Sequence, residues 1–173
     1  MEHIFDQIRG TLDAGFPYAA IMLALAVPDI CANLSIGPEA STSNQGKRYK
    51  QWYRDHVVPV YSLLTDDDAW SLRCGVVHQG AFGNRQKQFD RAIFCSGSSV
   101  LNIVLNDSEI AGIKYDRVLI ADAGTFCEAM IKAASDWFSR ARETPVVAAN
   151  LPRLVGTYKD GIAPLVVGMT CVG

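Results

Sequence analysis

A strongly apolar segment near the N-terminus constrains the fold of this chain more than any other feature. From Phe16 to Val27 the sequence contains no charged residue, and its apolar side chains run almost all round a helix. The segment is about half as long as a bilayer requires, so it predicts a buried helix at the centre of a bundle. Pro17 suits the first turn of this helix, and Pro28 is expected to kink it before a resumed turn from Asp29.

The spacing of apolar residues predicts further helices around the apolar one. They are Glu2 to Ala14, about Lys47 to Leu64, about Asp66 to Gln79, and about Asp122 to Glu143. Thr65 is expected to cap the helix that starts at Asp66, because a threonine followed by acids suits a helix N-terminus. Pro59 is expected to kink the helix that starts at Lys47 or to end its first part.

Between residues 81 and 121 the pattern changes from helical to extended. Arg91 to Ser96 and Val100 to Leu105 are short and rich in β-branched or aromatic residues, which predicts a hairpin or a small sheet. Tyr115 to Ala121 is a further candidate extended segment. We therefore expect one mainly α domain over residues 1–173. Its parts are core helices in 1–80, a β-containing insertion in 81–121, a helix in 122–143 and a tail in 144–173.

Charge and cysteine content exclude several classes of protein. The formal net charge is −2, so no global charge attracts the chain to nucleic acid or to an anionic membrane. The five cysteines are widely spaced and form no CxxC pair, which argues against a disulfide framework and against a zinc site. The charged N-terminus does not fit a signal peptide. These features predict a soluble, cytoplasmic protein that needs no metal and no other cofactor.

The stretch from Arg73 to His78 carries the residues best suited to chemistry. An arginine stays charged and clamps a phosphate through two parallel hydrogen bonds. A histidine exchanges a proton near neutral pH. Together they suit cleavage of a phosphodiester without a metal: the histidine would take or return a proton at a ribose oxygen, and the arginine would stabilise charge on the phosphate.

This arrangement resembles the motif of HEPN domains (higher eukaryotes and prokaryotes nucleotide-binding), an arginine and a histidine separated by four residues on the last helix of an apolar four-helix bundle. The sequence that carries it is Trp70-Ser-Leu-Arg-Cys-Gly-Val-Val-His-Gln-Gly80. The apolar helix that ends in Pro28-Asp-Ile-Cys31 and the aromatic helix after it add to the likeness. The resemblance covers about residues 1–80, and the remainder would be a family-specific extension.

The resemblance implies a fold and an activity. The fold would be an up-down four-helix bundle with a small β-hairpin or sheet insertion and a further C-terminal helix. Many HEPN proteins are metal-independent endoribonucleases of toxin–antitoxin or phage-defence systems, which implies RNA as the substrate and an antitoxin or other protein as a further partner. HEPN domains dimerise through the motif region. Arg73 and His78 are thus implied as a catalytic pair that faces one cleft from both subunits of a homodimer.

The spacing of the pair also favours a site shared between two copies. Residues five apart on an α-helix lie about 140° apart around its axis, so one helix does not easily aim both side chains at one phosphate. Two such helices packed about a two-fold axis would do so.

One departure from the family pattern favours a second hypothesis. The residue after the arginine is commonly polar in active HEPN domains, and here it is Cys74. The alternative is therefore a non-catalytic HEPN-like module that binds nucleotide, RNA or a protein partner. Arg73 would lower the pKa of an exposed Cys74, although most cysteines on helices are buried and inert.

Other polar residues are candidates for supporting roles. Asp29 lies in an apolar helix, where a bare carboxylate is costly, so it is expected either to hydrogen-bond Arg73 or to cap the turn after Pro28. His56 is expected to be a surface histidine. A further set would line an RNA path or form a solvated face. This set is Lys47, Arg48, Lys50 and Arg54, with Arg85 and Lys87.

Overall fold

The chain is mainly helical, as its sequence predicts. The computed structural model describes residues 1–37, 42–82, 89–97 and 102–173. The α-helices are α1 Glu2–Asp13, α2 Pro17–Leu34, α3 Gln45–His56, α4 Asp66–Gln79, α5 Ala123–Ala141 and α6 Pro145–Asn150, with 3₁₀ turns at Thr42–Asn44 and Leu151–Arg153. The predicted bounds of α1, α4 and α5 are confirmed to within two residues.

Helix α2 lies at the centre of the helical core. It packs against α1, α3, α4 and α5. Within the described part of the chain, α2 is the one helix long and apolar enough to span a membrane, and 56% of it is buried inside this structure. Pro28, where the sequence predicts a kink, lies inside α2, which continues as one helix on both sides of it. Pro28 removes a single backbone hydrogen bond, and the four neighbouring helices hold the remaining turns in place.

Helix α3 is shorter than the sequence predicts. It ends at His56, and the residues up to position 64 form turns. The reason is Pro59, whose ring disfavours the helical conformation at Val58. The backbone N–H groups of Val57 and Val58 both bind the Tyr53 carbonyl, so the last turn closes on one acceptor. Pro59 therefore ends this helix and does not merely kink it.

A three-stranded sheet lies between α4 and α5 in the chain. Its strands are β1 Arg91–Cys95, β2 Ile103–Ile110 and β3 Ile113–Asp122. Strand β3 is central, parallel to β1 and antiparallel to β2. The small sheet is confirmed, but the predicted hairpin between the first two extended segments is wrong. The hairpin instead joins β2 to β3 through Ala111 and Gly112, whose positive φ angles suit a two-residue turn.

Helix α5 belongs to the same core as α1 to α4. Its N-cap is Asp122, whose carboxylate accepts a hydrogen bond from the Thr125 N–H. Phe126, Met130 and Ala134 are fully shielded from solvent and join the apolar cluster formed by the first four helices. The core therefore extends well beyond residue 80, and α5 is one of its principal elements.

Helix α4 begins at the capping box that its sequence predicts. The Thr65 hydroxyl accepts a hydrogen bond from the Asp68 N–H, and the Asp68 carboxylate accepts one from the Thr65 N–H. The same carboxylate is fully buried and accepts hydrogen bonds from Nη1 and Nη2 of Arg117 on β3, at 2.8 and 3.0 Å. Gly80 ends the helix in the left-handed conformation, with φ 64°. Asp68 thus ties the start of α4 to the sheet.

The tail contains two small antiparallel sheets. One pairs β4 Thr157–Tyr158 with β7 Cys171–Val172, and the other pairs β5 Gly161–Ile162 with β6 Val166–Val167. Before them, the Asn150 side chain of α6 donates hydrogen bonds to the carbonyl groups of Leu34 and Ile36. Asn150 therefore connects the start of the tail to the C-terminal end of α2.

Removing the Asp68 carboxylate is expected to destabilise the protein. Asp68→Ala deletes the capping box and both hydrogen bonds to Arg117, and we expect it to lower the free energy of unfolding by about 2 kcal/mol. The loss stays moderate because the Arg117 side chain is 30% exposed and turns towards water. Urea denaturation measures the effect. Asp67→Ala is the matched control, since that carboxylate is 60% exposed, and equal losses for the two variants would contradict the prediction.

Candidate functional site

Arg73 of α4 is fixed on three sides by neighbouring side chains. Its Nε donates a hydrogen bond to Asp29 Oδ2 at 2.8 Å. Its guanidinium lies over the Trp70 ring, 5.3 Å from the ring centroid, a cation–π contact that also covers one face. Its Nη1 lies 3.2 Å from His78 Nε2. With 17% of the side chain exposed, the guanidinium is largely buried yet still reaches the surface at the histidine.

Asp29 provides the negative charge that makes this burial tolerable. Its side chain is 10% exposed, and it projects from the apolar helix α2. Gln45, at the start of α3, donates a hydrogen bond to its second oxygen at 3.3 Å. Of the two roles considered for Asp29, the structure shows the hydrogen bond to Arg73. Three helices therefore converge on one charge-assisted pair, an arrangement that gives the arginine a defined position.

His78 lies in the last turn of α4 and is exposed to solvent. If Arg73 Nη1 donates to His78 Nε2, that ring nitrogen is the acceptor and the ring proton is on Nδ1. This assignment follows from the chemistry of the donor, because a guanidinium has no acceptor to offer. The pair therefore consists of a largely buried cation and an exposed imidazole at the same point of the surface.

The two motif residues meet within a single chain, contrary to the expectation from helix geometry. Five residues advance an α-helix by about 7.5 Å, and the arginine side chain is long enough to cover that distance along the helix surface. Asp29 and Trp70 direct it, because they leave Nη1 pointing along α4 towards His78. A second copy is thus not required to bring the arginine and the histidine together.

Cys74 is half-buried beside Arg73. Burial raises the pKa of its thiol, and the nearby guanidinium opposes this shift without cancelling it. A raised pKa means less thiolate at neutral pH, so Cys74 has the character of an inert helical cysteine. This agrees with the expectation that most cysteines on helices are buried and inert.

Two of the basic residues of α3 are bound to carboxylates of α4. Lys50 pairs with Asp67 at 2.9 Å, and Arg54 pairs with Asp66, so these two cations are bound to the acids in the first turn of α4. Lys47 is exposed, and Arg48 is half-buried. Of the four predicted RNA contacts, the two nearest the C-terminal end of α3 therefore already have carboxylate partners. Arg85 and Lys87 lie outside the described residues.

His56 is more buried than the sequence suggests. Its ring packs against Trp52, with 4.9 Å between the centroids. Burial lowers its pKa, so the neutral form is favoured. These contacts indicate a packing role for His56 at the end of α3.

Two residues of the site were missed by sequence reasoning. Trp70 lies three residues before Arg73, a spacing that places both on one helix face, and this signal was readable. Gln45 follows a polar segment and carries no pattern of its own, so nothing in the sequence connects it with Asp29.

Gly46, next to Gln45 in α3, lies against Trp70: a Cβ added there would be 3.0 Å from the indole ring. A side chain at position 46 would therefore need the Trp70 indole to shift by a few tenths of an ångström.

Comparisons with known proteins assign no family to this chain. Within the described residues, no group of three or more histidine, cysteine or acidic side chains is placed to hold a metal ion. The chain matches no family model, no curated protein and no solved structure with significance.

Proposed function

We propose that this chain is a HEPN-like, metal-independent endoribonuclease in which Arg73 and His78 are the catalytic pair. The observation that carries the proposal is the 3.2 Å contact between Arg73 Nη1 and His78 Nε2 at the surface. A fixed cation beside an exposed imidazole is the pair of groups that phosphodiester cleavage needs. Because Asp29 and Trp70 already fix the guanidinium, its side chain loses little conformational entropy when a phosphate binds.

The proposed reaction starts from the RNA 2′-hydroxyl. His78 Nε2 takes the proton of that hydroxyl while its oxygen attacks the adjacent phosphorus. The bond from phosphorus to the 5′-oxygen breaks, and the leaving oxygen is protonated by water or by the imidazolium. The products are a 2′,3′-cyclic phosphate and a free 5′-hydroxyl. Arg73 donates hydrogen bonds to the non-bridging oxygens, where negative charge grows in the transition state.

Binding of the phosphate would also prepare the base. In the free protein the acceptor position on His78 Nε2 is taken by Arg73 Nη1. A phosphate is a stronger acceptor for a guanidinium than a neutral imidazole, because its oxygens carry negative charge and accept two parallel N–H groups. When Nη1 turns to the phosphate, Nε2 becomes free for the 2′-hydroxyl.

The proposal includes the HEPN fold and a homodimer. Helices α1 to α4 would form the family's four-helix bundle, and the surface that carries His78 would face a second copy. Two exposed apolar side chains support this: Val77 next to His78 is 44% exposed, and Tyr18 at the start of α2 is 45% exposed. Tyr18 contacts Phe82, just beyond α4, with 6.0 Å between ring centroids, so α2 and the end of α4 present apolar surface together.

The proposed partners and location follow from the resemblance to HEPN domains and from the composition of the chain. RNA is the proposed substrate, and Lys47, exposed near the start of α3, is the first candidate for an RNA contact. Lys50 and Arg54 would contribute only after exchanging Asp67 and Asp66 for phosphate. We also propose a cytoplasmic location and an antitoxin or other protein as regulator, in a toxin–antitoxin or phage-defence system.

Incubation of the purified protein with total RNA in EDTA tests the proposal. We expect cleavage to continue in EDTA, because both reacting groups are side chains. The ends of the fragments give a second check, since a 2′,3′-cyclic phosphate and a 5′-hydroxyl are expected. Cleavage that stops in EDTA and returns with Mg²⁺ would contradict the mechanism. Expression in bacteria should slow growth, and the His78→Gln variant should not.

A second candidate function is a non-catalytic HEPN-like module that binds nucleotide, RNA or a protein. Two observations favour it: Cys74 is a half-buried cysteine where active members of the family commonly carry a polar residue, and Arg73 and His78 satisfy each other in the free protein. Fluorescence anisotropy with a labelled RNA separates the two functions. Binding without cleavage, lost in Arg73→Ala, would support the module and exclude the ribonuclease.

A further inference from the structure

A cavity lies between the C-terminal end of α2 and the 3₁₀ turn at Leu151–Arg153. Its volume is about 360 Å³. Small-molecule sites typically enclose roughly 300–1,000 Å³ and combine apolar walls with a few polar groups. This cavity has both kinds of lining: Ile30, Leu34 and Leu154 are apolar, and Asn33, Asn150 and Arg153 are polar. Its size and its lining therefore suit a small organic ligand.

Arg153 gives the cavity a positive charge. Within the described part of the chain it is the one charged residue of the lining, and it is exposed to solvent. It forms no ion pair with the described residues, unlike the five arginines at positions 9, 54, 73, 117 and 142. A guanidinium offers five N–H donors and no acceptor, so Arg153 is suited to bind an anionic group.

The end of α2 beside the cavity already has its hydrogen bonds. The last four carbonyl groups of a helix have no partner within the helix. In α2 these are the carbonyl groups of residues 31–34, and all four accept hydrogen bonds: from the Ser35 hydroxyl and N–H, from the Ile36 N–H and from the Asn150 side chain. The acceptors at this helix end are thus occupied, whereas the Arg153 guanidinium offers donors. The cavity therefore favours a ligand that accepts hydrogen bonds.

We propose that this cavity binds a small carboxylate with an apolar body, such as a fatty acid of medium chain length. The carboxylate would accept two parallel hydrogen bonds from the Arg153 guanidinium. The chain would be removed from water against Ile30, Leu34 and Leu154. A single arginine balances the single charge of a carboxylate, whereas a phosphate monoester carries nearly two negative charges. None of the six named residues belongs to the candidate ribonuclease site, so this inference does not depend on the proposed function.

Isothermal titration calorimetry with octanoate, below the concentration at which it forms micelles, tests the inference on the full chain. We expect saturable binding that tightens about fourfold for each methylene added from hexanoate to octanoate, because each methylene is removed from water. Arg153→Gln should weaken octanoate binding by about 10- to 100-fold, the effect of losing hydrogen bonds between charged groups. Octanol has the same chain without the charge, and its weaker binding should be the same in this variant and in the wild type.

Arg142→Gln is the matched control for Arg153→Gln. It removes an arginine that is 59% exposed, pairs with Glu143 and lies outside the lining of the cavity. This control should bind octanoate as the wild type does. Far-UV circular dichroism verifies that both variants are folded. If Arg153→Gln is not, Arg153→Lys takes its place, with binding a few-fold weaker than that of the wild type, because lysine keeps the charge without the planar fork.

Four outcomes would overturn the inference. The first is a wild type without saturable octanoate binding. The second is an equal loss in the variants at Arg153 and Arg142, which would mean that the net charge of the protein attracts the anion and the cavity does not. The third is octanol bound as tightly as octanoate, which would leave Arg153 without a role. The fourth is trileucine bound more tightly than octanoate, which would identify the carboxyl end of a protein as the ligand.

Discussion

Replacing His78 with glutamine is expected to lower the rate of RNA cleavage by about 10²- to 10⁴-fold, the contribution typical of a general base. Glutamine keeps a polar side chain of similar reach, but it does not take a proton from the 2′-hydroxyl. The fold should be unaffected, because His78 is exposed in the last turn of α4. Single-turnover cleavage of a short RNA, with protein in excess, measures the rate of the chemical step.

Arg73→Lys separates charge from geometry at the same site. Lysine keeps the positive charge, but it has no planar fork with which to contact Asp29 and a phosphate together. The position of the charge would therefore be less defined, and we expect cleavage to fall by about 10²-fold, similar to the loss of one transition-state donor. An arginine that merely neutralises Asp29 would tolerate lysine with little change in rate.

His56→Gln is the matched control for both variants. It removes a histidine that packs on Trp52 and belongs to a different helix from the motif. The control should cleave at a rate within a few-fold of wild type. A His78→Gln variant with the same rate as His56→Gln would remove His78 from the mechanism and leave the binding module as the better proposal.

Features governed by local sequence were predictable, and those governed by distant contacts were not. The bounds of α4 follow from Thr65 and Gly80, which act on backbone groups within one turn. The strand order does not follow from any such signal. The turn that pairs β2 with β3 uses Ala111 in a positive-φ conformation, where glycine or asparagine is the usual indication. The sequence therefore predicts extended segments but not their partners.

The candidate site shows the same division. Arg73 and His78 are recognisable as a motif because they lie on one helix. Asp29 is 44 residues from Arg73 in sequence, and its contact with the arginine was only one of two alternatives until the packing of α2 against α4 was known. The contact between Arg73 and His78 was missed because angular spacing on a helix ignores the length and flexibility of an arginine side chain.

The ion pair between Asp29 and Arg73 is expected to contribute strongly to the stability of the fold. Asp29→Leu would leave the guanidinium, 17% exposed, beside an apolar residue in place of its carboxylate partner. Removing one partner of a buried ion pair leaves the other charge buried without compensation. We therefore expect the free energy of unfolding to fall by about 3–5 kcal/mol. Urea denaturation with the slope held common to all variants measures the loss. Cleavage should also be lost, since Arg73 loses the group that positions it.

Replacing both Asp29 and Arg73 distinguishes the cost of a buried charge without a partner from the cost of lost packing. Replacing a buried ion pair with apolar residues of similar volume is often neutral or stabilising, so Asp29→Leu/Arg73→Met should recover most of the stability lost in Asp29→Leu. Methionine keeps an unbranched apolar chain against Trp70. The double variant should remain inactive, because it has no cation. Asp29→Leu alone costing less than about 1 kcal/mol would mean that the pair contributes as little as an exposed one, which would contradict its burial among α2, α3 and α4.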